Sequence, residues 1–234
     1  AQAGVRYSLE NPRPYLKSNI NAFLNILEAA RNYKIKDLVY ASSSSIYGNN
    51  KKVPFSVDDS VDKPMSLYAA TKKANELMAY TYSHLFGINT IGLRFFTVIG
   101  PYGRPDMAPI LFASAIFKDE AIKVFNHGKM RRDFTYIDDI VDGILLALEK
   151  TDGYQIFNLG NNKPVELEYF ISCLEKETGR LVIRDYKEMQ LGDVLETFAD
   201  IEHTKKILGW EPKISVEEAV KHFVEWYKKY YGEE

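Results

Sequence analysis

Amphipathic helical stretches alternate with short runs of apolar, β-branched residues along the whole chain, and this limits the fold more than any other feature. Strands that are apolar on both faces must be covered on both, and helices crossing back between parallel strands do this. Pro12 and Pro14 open a first long helix, 14–33, with an apolar stripe of Leu16, Ile20, Phe23, Leu24, Leu27 and Ala30 spaced by threes and fours. Residues 37–41 read as a buried strand that ends in four serines, Ser42 to Ser45. Ser66 is placed to cap a second long helix, ended by Gly87, with Leu67, Ala70, Ala74, Leu77, Thr81 and Leu85 as its stripe. A strand over 88–94 follows, then a stretch over 100–106 too rich in Gly and Pro for regular structure.

Beyond that break the pattern predicts a helix over 109–118, strands over 122–125 and 134–137, a helix from Asp138 and a strand over 155–159. A helix over 165–178, a strand over 181–186 and a last helix complete it, with Ser215 and Glu218 at capping-box spacing. The sheet part is expected to end near residue 100. Residues 101–234 form a smaller α/β region over the strand C-termini, where open α/β sheets bind ligands, and 134–159 is a candidate to return to the sheet.

Charge and cysteine content narrow the function classes. Thirty basic against thirty-two acidic residues give a net charge of −2, which leaves no footprint for nucleic acid. A single cysteine, Cys173, cannot form an internal disulfide and suits the cytoplasm, and four scattered histidines argue against a metal site. No apolar run approaches the roughly 20 residues of a membrane helix. The opening, Ala1 to Tyr7, reads as the interior of a longer sequence, so a fragment is expected.

Candidate chemistry sits at the start of the second long helix. Tyr68 and Lys72 are four apart, about one helical turn, so they share a flank. A phenol with a pKa near ~10 is a poor base at neutral pH, and a nearby ammonium favours its ionised form. By itself this pair is weak in a chain with 16 tyrosines. The serine run strengthens it: hydroxyls at a strand end, about twenty-five residues before Tyr68, can hold a substrate oxygen beside the base.

Several segments together resemble the extended short-chain dehydrogenase/reductases, the NAD-dependent sugar-nucleotide epimerase/dehydratase family, and within it the UDP-glucuronate 4-epimerases. They are 1–7, 40–48, 66–76, 92–101, 103–107, 131–139 and 192–194, spread over nearly the whole chain. The resemblance implies a Rossmann-type doubly wound parallel sheet, with 1–100 as the C-terminal part of the dinucleotide domain and 101–234 mainly for the UDP-sugar. It implies Ser43, Tyr68 and Lys72 as catalytic residues, with Tyr68, Lys72 and Ser42 also touching NAD. Substrate contacts implied are Ser44, Ser45, Thr97 and Arg104 around an acidic sugar, Phe125 at the uracil, Arg132 at the diphosphate, and Gln190 and Asp193 near the ribose. It also implies a homodimer built on the two long helices, with no membrane or nucleic-acid partner.

One departure from the family pattern is large. None of the 14 glycines falls in the spacing of the family's phosphate-binding turn, so the chain by itself is expected neither to retain NAD nor to turn over. Where related 4,6-dehydratases carry an Asp-Glu pair after the serine or threonine, Ser44 and Ser45 stand here, leaving no acid for elimination. What remains is simple epimerisation at C4, and the resemblance implies UDP-glucuronate to UDP-galacturonate as the reaction. A neutral UDP-sugar epimerase and a catalytically silent nucleotide binder are the alternatives. Ile99 and Tyr102, where relatives carry other aromatics, are minor departures.

Overall fold

The computed structural model describes residues 1–234 except 151, 190–192 and 234. Its first half runs α1 (Val5–Glu10), α2 (Arg13–Tyr15), a π-helical turn (Leu16–Asn21), α3 (Ala22–Asn32), β1 (Asp37–Ala41), a 3-10 turn (Ser44–Tyr47), α4 (Leu67–Phe86), β2 (Asn89–Phe95) and β3 (Thr97–Ile99). Then come α5 (Ala108–Phe117), β4 (Ile122–Phe125), a short 3-10 turn (Asn126–Gly128), β5 (Arg131–Arg132), β6 (Phe134–Tyr136), α6 (Ile137–Lys150) and β7 (Tyr154–Leu159). The chain closes with β8 (Val165–Glu166), α7 (Leu167–Thr178), β9 (Arg184–Lys187), α8 (Glu202–Leu208) and α9 (Val216–Tyr231).

The principal sheet is parallel, in the order β1–β2–β7, with Val39 opposite Ile91 and Ile91 opposite Gln155. The strand Tyr154–Leu159 thus returns to the sheet long after β2 leaves it at Phe95. Glycine is required at one point inside: a Cβ on Gly92 would stand 2.6 Å from both Ile156 and the Tyr40 hydroxyl. One core, around Ile91, Leu93, Phe157 and Leu159, packs against α6, α8 and the Tyr47 turn. A second, around Phe112, Phe134, Phe170 and Phe223, joins α5, α7 and α9 over the short parallel pairs β4–β9 and β3–β6.

The first long helix keeps most of its expected face, with Leu27 and Ala30 buried and Ile20 and Phe23 half-buried, but Leu16 and Leu24 are exposed while Tyr15 and Asn19 point inward. The cause is the π-helical turn, which the spacing did not reveal; its wider winding changes which residues share a face. In α4, Leu77 is 57% exposed, and the inward face is Ala69, Thr71, Lys72, Asn75, Glu76 and Ala79. A polar face can be buried only if its groups are satisfied. Here they are: Thr71 binds the Tyr68 carbonyl, Lys72 the Ala41 carbonyl, and Asn75 the Asn19 carbonyl. Caps at both ends are as the sequence predicts, with Ser66 accepting from the Ala69 amide and Gly87 left-handed at the C-terminus. Helices α1 and α8 were not predicted; at six and seven residues they are too short for a period to show.

Candidate active site

The end of β1, the N-terminal turn of α4 and the Gly/Pro-rich loop that carries Arg104 define the site. Ser43 is in extended backbone just past β1, so consecutive side chains leave on opposite sides. Ser42 is turned into the interior, where its hydroxyl donates to Glu76 at 2.7 Å. Ser43 lies on the other side, next to Tyr68. Burial pushes the Tyr68 phenol above its usual range, while hydrogen bonding to Ser43 and the charge of Arg104 pull it back. The Lys72 ammonium lies 6.0 Å from the Tyr68 ring centre, and burial lowers its pKa. One of its protons goes to the Ala41 carbonyl at 2.8 Å, so two donors remain for other partners. Tyr68 thus gets its help from Ser43 and Arg104 rather than from direct contact with the lysine. Its ring is fixed edge-on against Tyr15, 6.2 Å between centres.

Behind this surface lies a closed polar network that sequence reasoning missed. Arg94 holds both carboxylate oxygens of Glu76 at 3.0 Å and donates to the Tyr47 hydroxyl at 2.9 Å. Tyr47 in turn donates to Asn158, whose amide ties down the Phe55 and Asp200 carbonyls. Strands β1, β2 and β7, helix α4 and the serine turn are thereby bolted together beneath Ser43. Glu76 lies one turn beyond Lys72, and Arg94 lies inside an apolar strand. A charged residue at a predicted core position was the signal available.

Arg104 reaches the same region from the Gly/Pro-rich loop. A Cβ built on Gly4, whose φ is +108°, would lie 3.3 Å from the Arg104 guanidinium and 3.6 Å from the Tyr15 hydroxyl. Arg104 pairs with Asp106 through two contacts, at 3.0 and 2.5 Å. Thr97 is half-buried at the start of β3, with its amide on the Asp133 carbonyl. Ser44 and Ser45 are half-buried in the 3-10 turn, the Ser45 amide donating to the Ser43 hydroxyl at 3.2 Å.

The remaining expected contacts form a second cluster. Phe125 ends β4, and Arg132 sits on β5 with its guanidinium on the Arg131 and Leu195 carbonyls. Asp193 is close enough to favour the charge of Arg132, which burial otherwise disfavours. Gln190 lies outside the described residues. Asp133, next in sequence, is fully buried and accepts from the amides of Asn161, Asn162 and Ala199 at 2.6, 3.1 and 2.9 Å. It ties the loop after β7 to residues 196–199, which bridge to Arg131 and Phe55. Burial still pushes its carboxyl up from the usual aspartate range to about 6. With the folded value above the unfolded one, the bound proton stabilises the fold fully below pH ~4, and that contribution is lost as pH rises through about 6. Urea midpoints measured from pH 4 to 7 should therefore fall more steeply with pH in the wild type than in Asp133→Asn; parallel slopes would exclude a titrating Asp133.

An NAD site can be tested on this geometry. Tyr68, Lys72 and the end of β1 offer what the nicotinamide ribose needs, a lysine with free donors beside a phenol. A pyrophosphate needs backbone amides at a glycine-rich helix start. Among the described residues, the turn after β1 closes its first free amide onto Ser43 and carries no such glycines. The residues fit the nicotinamide end only.

The family model for the NAD dependent epimerase/dehydratase family matches residues 1–160. The chain belongs to that family. It is 48% identical to a UDP-glucuronate 4-epimerase of Thermodesulfobacterium geofontis, over 98% of this chain and 71% of that protein. Among solved structures, it is similar to a UDP-glucuronic acid 4-epimerase from Bacillus cereus in complex with UDP-glucuronic acid and NAD. That match has a TM-score of 0.93 and 32% identity, and covers 99% of this chain and 74% of the other. A UDP-glucose 4-epimerase from Thermotoga maritima, with UDP-glucose, matches at a TM-score of 0.94 and 31% identity, over 99% and 76%. The Rossmann-type α/β architecture expected from the sequence holds. Fold likeness does not separate acidic from neutral sugars, because both kinds of epimerase superpose equally well. That choice falls to individual side chains.

Among the described residues no helix is long and apolar enough to cross a membrane.

Proposed function

We propose that this enzyme family member interconverts UDP-glucuronate and UDP-galacturonate by NAD-dependent epimerisation at C4. The observation that carries this reading is the meeting of Ser43, Tyr68 and Lys72 at the end of β1, with Arg104 near enough to act on Tyr68. Tyr68, ionised, accepts the proton of the 4-hydroxyl; Ser43 donates to that oxygen and holds it. Lys72 uses its remaining donors to orient a ribose. NAD, when bound, supplies the acceptor and later the donor of the C4 hydride. After the transient 4-keto sugar turns over, Tyr68 returns the proton and the opposite configuration results. No acid is needed beyond this set, in keeping with serines at 44 and 45.

Arg104 supports the acidic sugar. Its guanidinium is already matched to a carboxylate, that of Asp106, and exchanges it for the substrate's C6 carboxylate with Thr97, Ser44 and Ser45 beside it. Arg104→Ala should cost UDP-glucuronate on the order of 2–5 kcal/mol in kcat/KM, about thirtyfold or more, and UDP-glucose much less. Equal losses on both substrates, measured side by side on the NAD-loaded enzyme, would favour the neutral-sugar reading.

Two finer readings complete the proposal. These 234 residues by themselves hold NAD poorly, since they supply the nicotinamide end without the glycine turn. The enzyme is a homodimer through the outward faces of the long helices, where Leu24, Leu77 and Leu85 are exposed. Leu77→Glu would then yield monomers in sedimentation, with an unfolding midpoint that no longer rises with protein concentration; an unchanged dimer would place the interface elsewhere.

A further inference from the structure

Arg6, on α1, sits where the second cluster gathers. Its guanidinium lies over the Phe125 ring, 4.6 Å from the centre, and pairs with Asp193 at 3.0 Å. The arginine is half exposed and covers Asp193, whose side chain is only 14% exposed. Arg6 is also near enough to disfavour the charge of Arg132. Two guanidiniums therefore face one carboxylate, an arrangement left one positive charge in excess.

The segment that carries Arg6 is fixed in place. Asn19, turned inward by the π-helical turn, holds the Gln2 amide at 2.7 Å and the Gln2 carbonyl at 3.0 Å. Tyr15 donates to the Gly4 carbonyl at 2.6 Å. With the backbone pinned at Gln2 and Gly4, immediately ahead of α1, the long side chain of Arg6 is the part that can change partners.

We propose that Arg6 is the second cation of a diphosphate clamp, with Phe125 and Asp193 as its resting partners in the empty site. This rests on the assignment of Phe125 and Arg132 to the nucleotide. A base stacked on Phe125 and the Arg6 guanidinium cannot occupy the same ring face, so nucleotide entry displaces Arg6. The diphosphate enters with the base, carrying two or more negative charges beside Arg132. It is the strongest acceptor within reach of the released guanidinium, which binds phosphate through two parallel donors. Asp193 is then uncovered and can accept from a ribose hydroxyl. The excess charge of the empty cluster is what such an anion neutralises.

The test is calorimetric titration of the 234-residue chain with uridine, UMP and UDP. Wild type should bind UDP most tightly. Arg6→Ala should weaken UDP by about 10- to 100-fold, the range for a hydrogen bond to a charged group, and change uridine by less than about threefold. Arg6→Lys, which keeps the charge and loses the fork, should fall between. Unchanged or tighter UDP binding in Arg6→Ala overturns the proposal, because Arg6 would then be a surface residue or only a cover for Phe125. If in addition Arg132→Ala weakens UDP, the nucleotide assignment stands and only the role of Arg6 falls. A wild-type chain that binds no UDP at millimolar concentration overturns both.

Discussion

Replacing Tyr68 with phenylalanine should lower kcat of the NAD-loaded enzyme by about 10²–10⁴-fold and leave affinity for the UDP-sugar nearly unchanged. The substitution removes one oxygen. The ring contact with Tyr15 is kept, and the nucleotide cluster is untouched. No neighbour can replace the lost base: Ser43 is a far weaker acid than a phenol, and Lys72 has one proton committed to the Ala41 carbonyl. Because burial pushes the Tyr68 phenol up, proton abstraction should improve with pH until the phenol ionises. A mutant that keeps more than about a tenth of wild-type kcat would show that another group takes the proton.

Glu76→Leu should destabilise the fold by about 3–5 kcal/mol, a lower urea midpoint at unchanged slope. The carboxylate takes three hydrogen bonds from Ser42 and Arg94 behind the serine turn, and without it the Arg94 guanidinium remains buried with no carboxylate partner. Adding Arg94→Leu should recover part of the loss, since removing both charges leaves neither uncompensated. The recovery should be partial, because Ser42 and Tyr47 would each have lost a partner. A single-mutant loss below about 1 kcal/mol would mean that solvent reaches the pair.

Much of this was legible in the chain itself. β1 and β4 were predicted to the residue, as their apolar runs are bounded by polar or turn residues on both sides. The caps Ser66 and Ser215 were legible because capping is a local event, settled within four residues. What stayed hidden was tertiary. Periodicity assigns the apolar stripe to the interior, but α4 buries Thr71, Lys72, Asn75 and Glu76 instead, each with a partner far away in sequence. Asn19 gave no signal, since only the π-helical turn brings it inward. At the site, residue types and their order brought Ser43, Tyr68 and Lys72 forward, whereas the part played by Arg104 near Tyr68 depended on where a Gly/Pro-rich loop came to rest. No rule of spacing predicts that.

The two serines that follow β1 divide their duties by parity. Ser42 secures the scaffold through Glu76 and Ser43 faces Tyr68, only because neighbouring side chains on an extended backbone leave in opposite directions. A substitution at either position removes one duty. A one-residue deletion just ahead of Ser42 would turn Ser43 inward and bring Ser44 to the outward station. In a run of four identical residues such a slip puts a hydroxyl at both stations again. An insertion there is different, because it moves Ala41 to the inward station and leaves Glu76 without its serine.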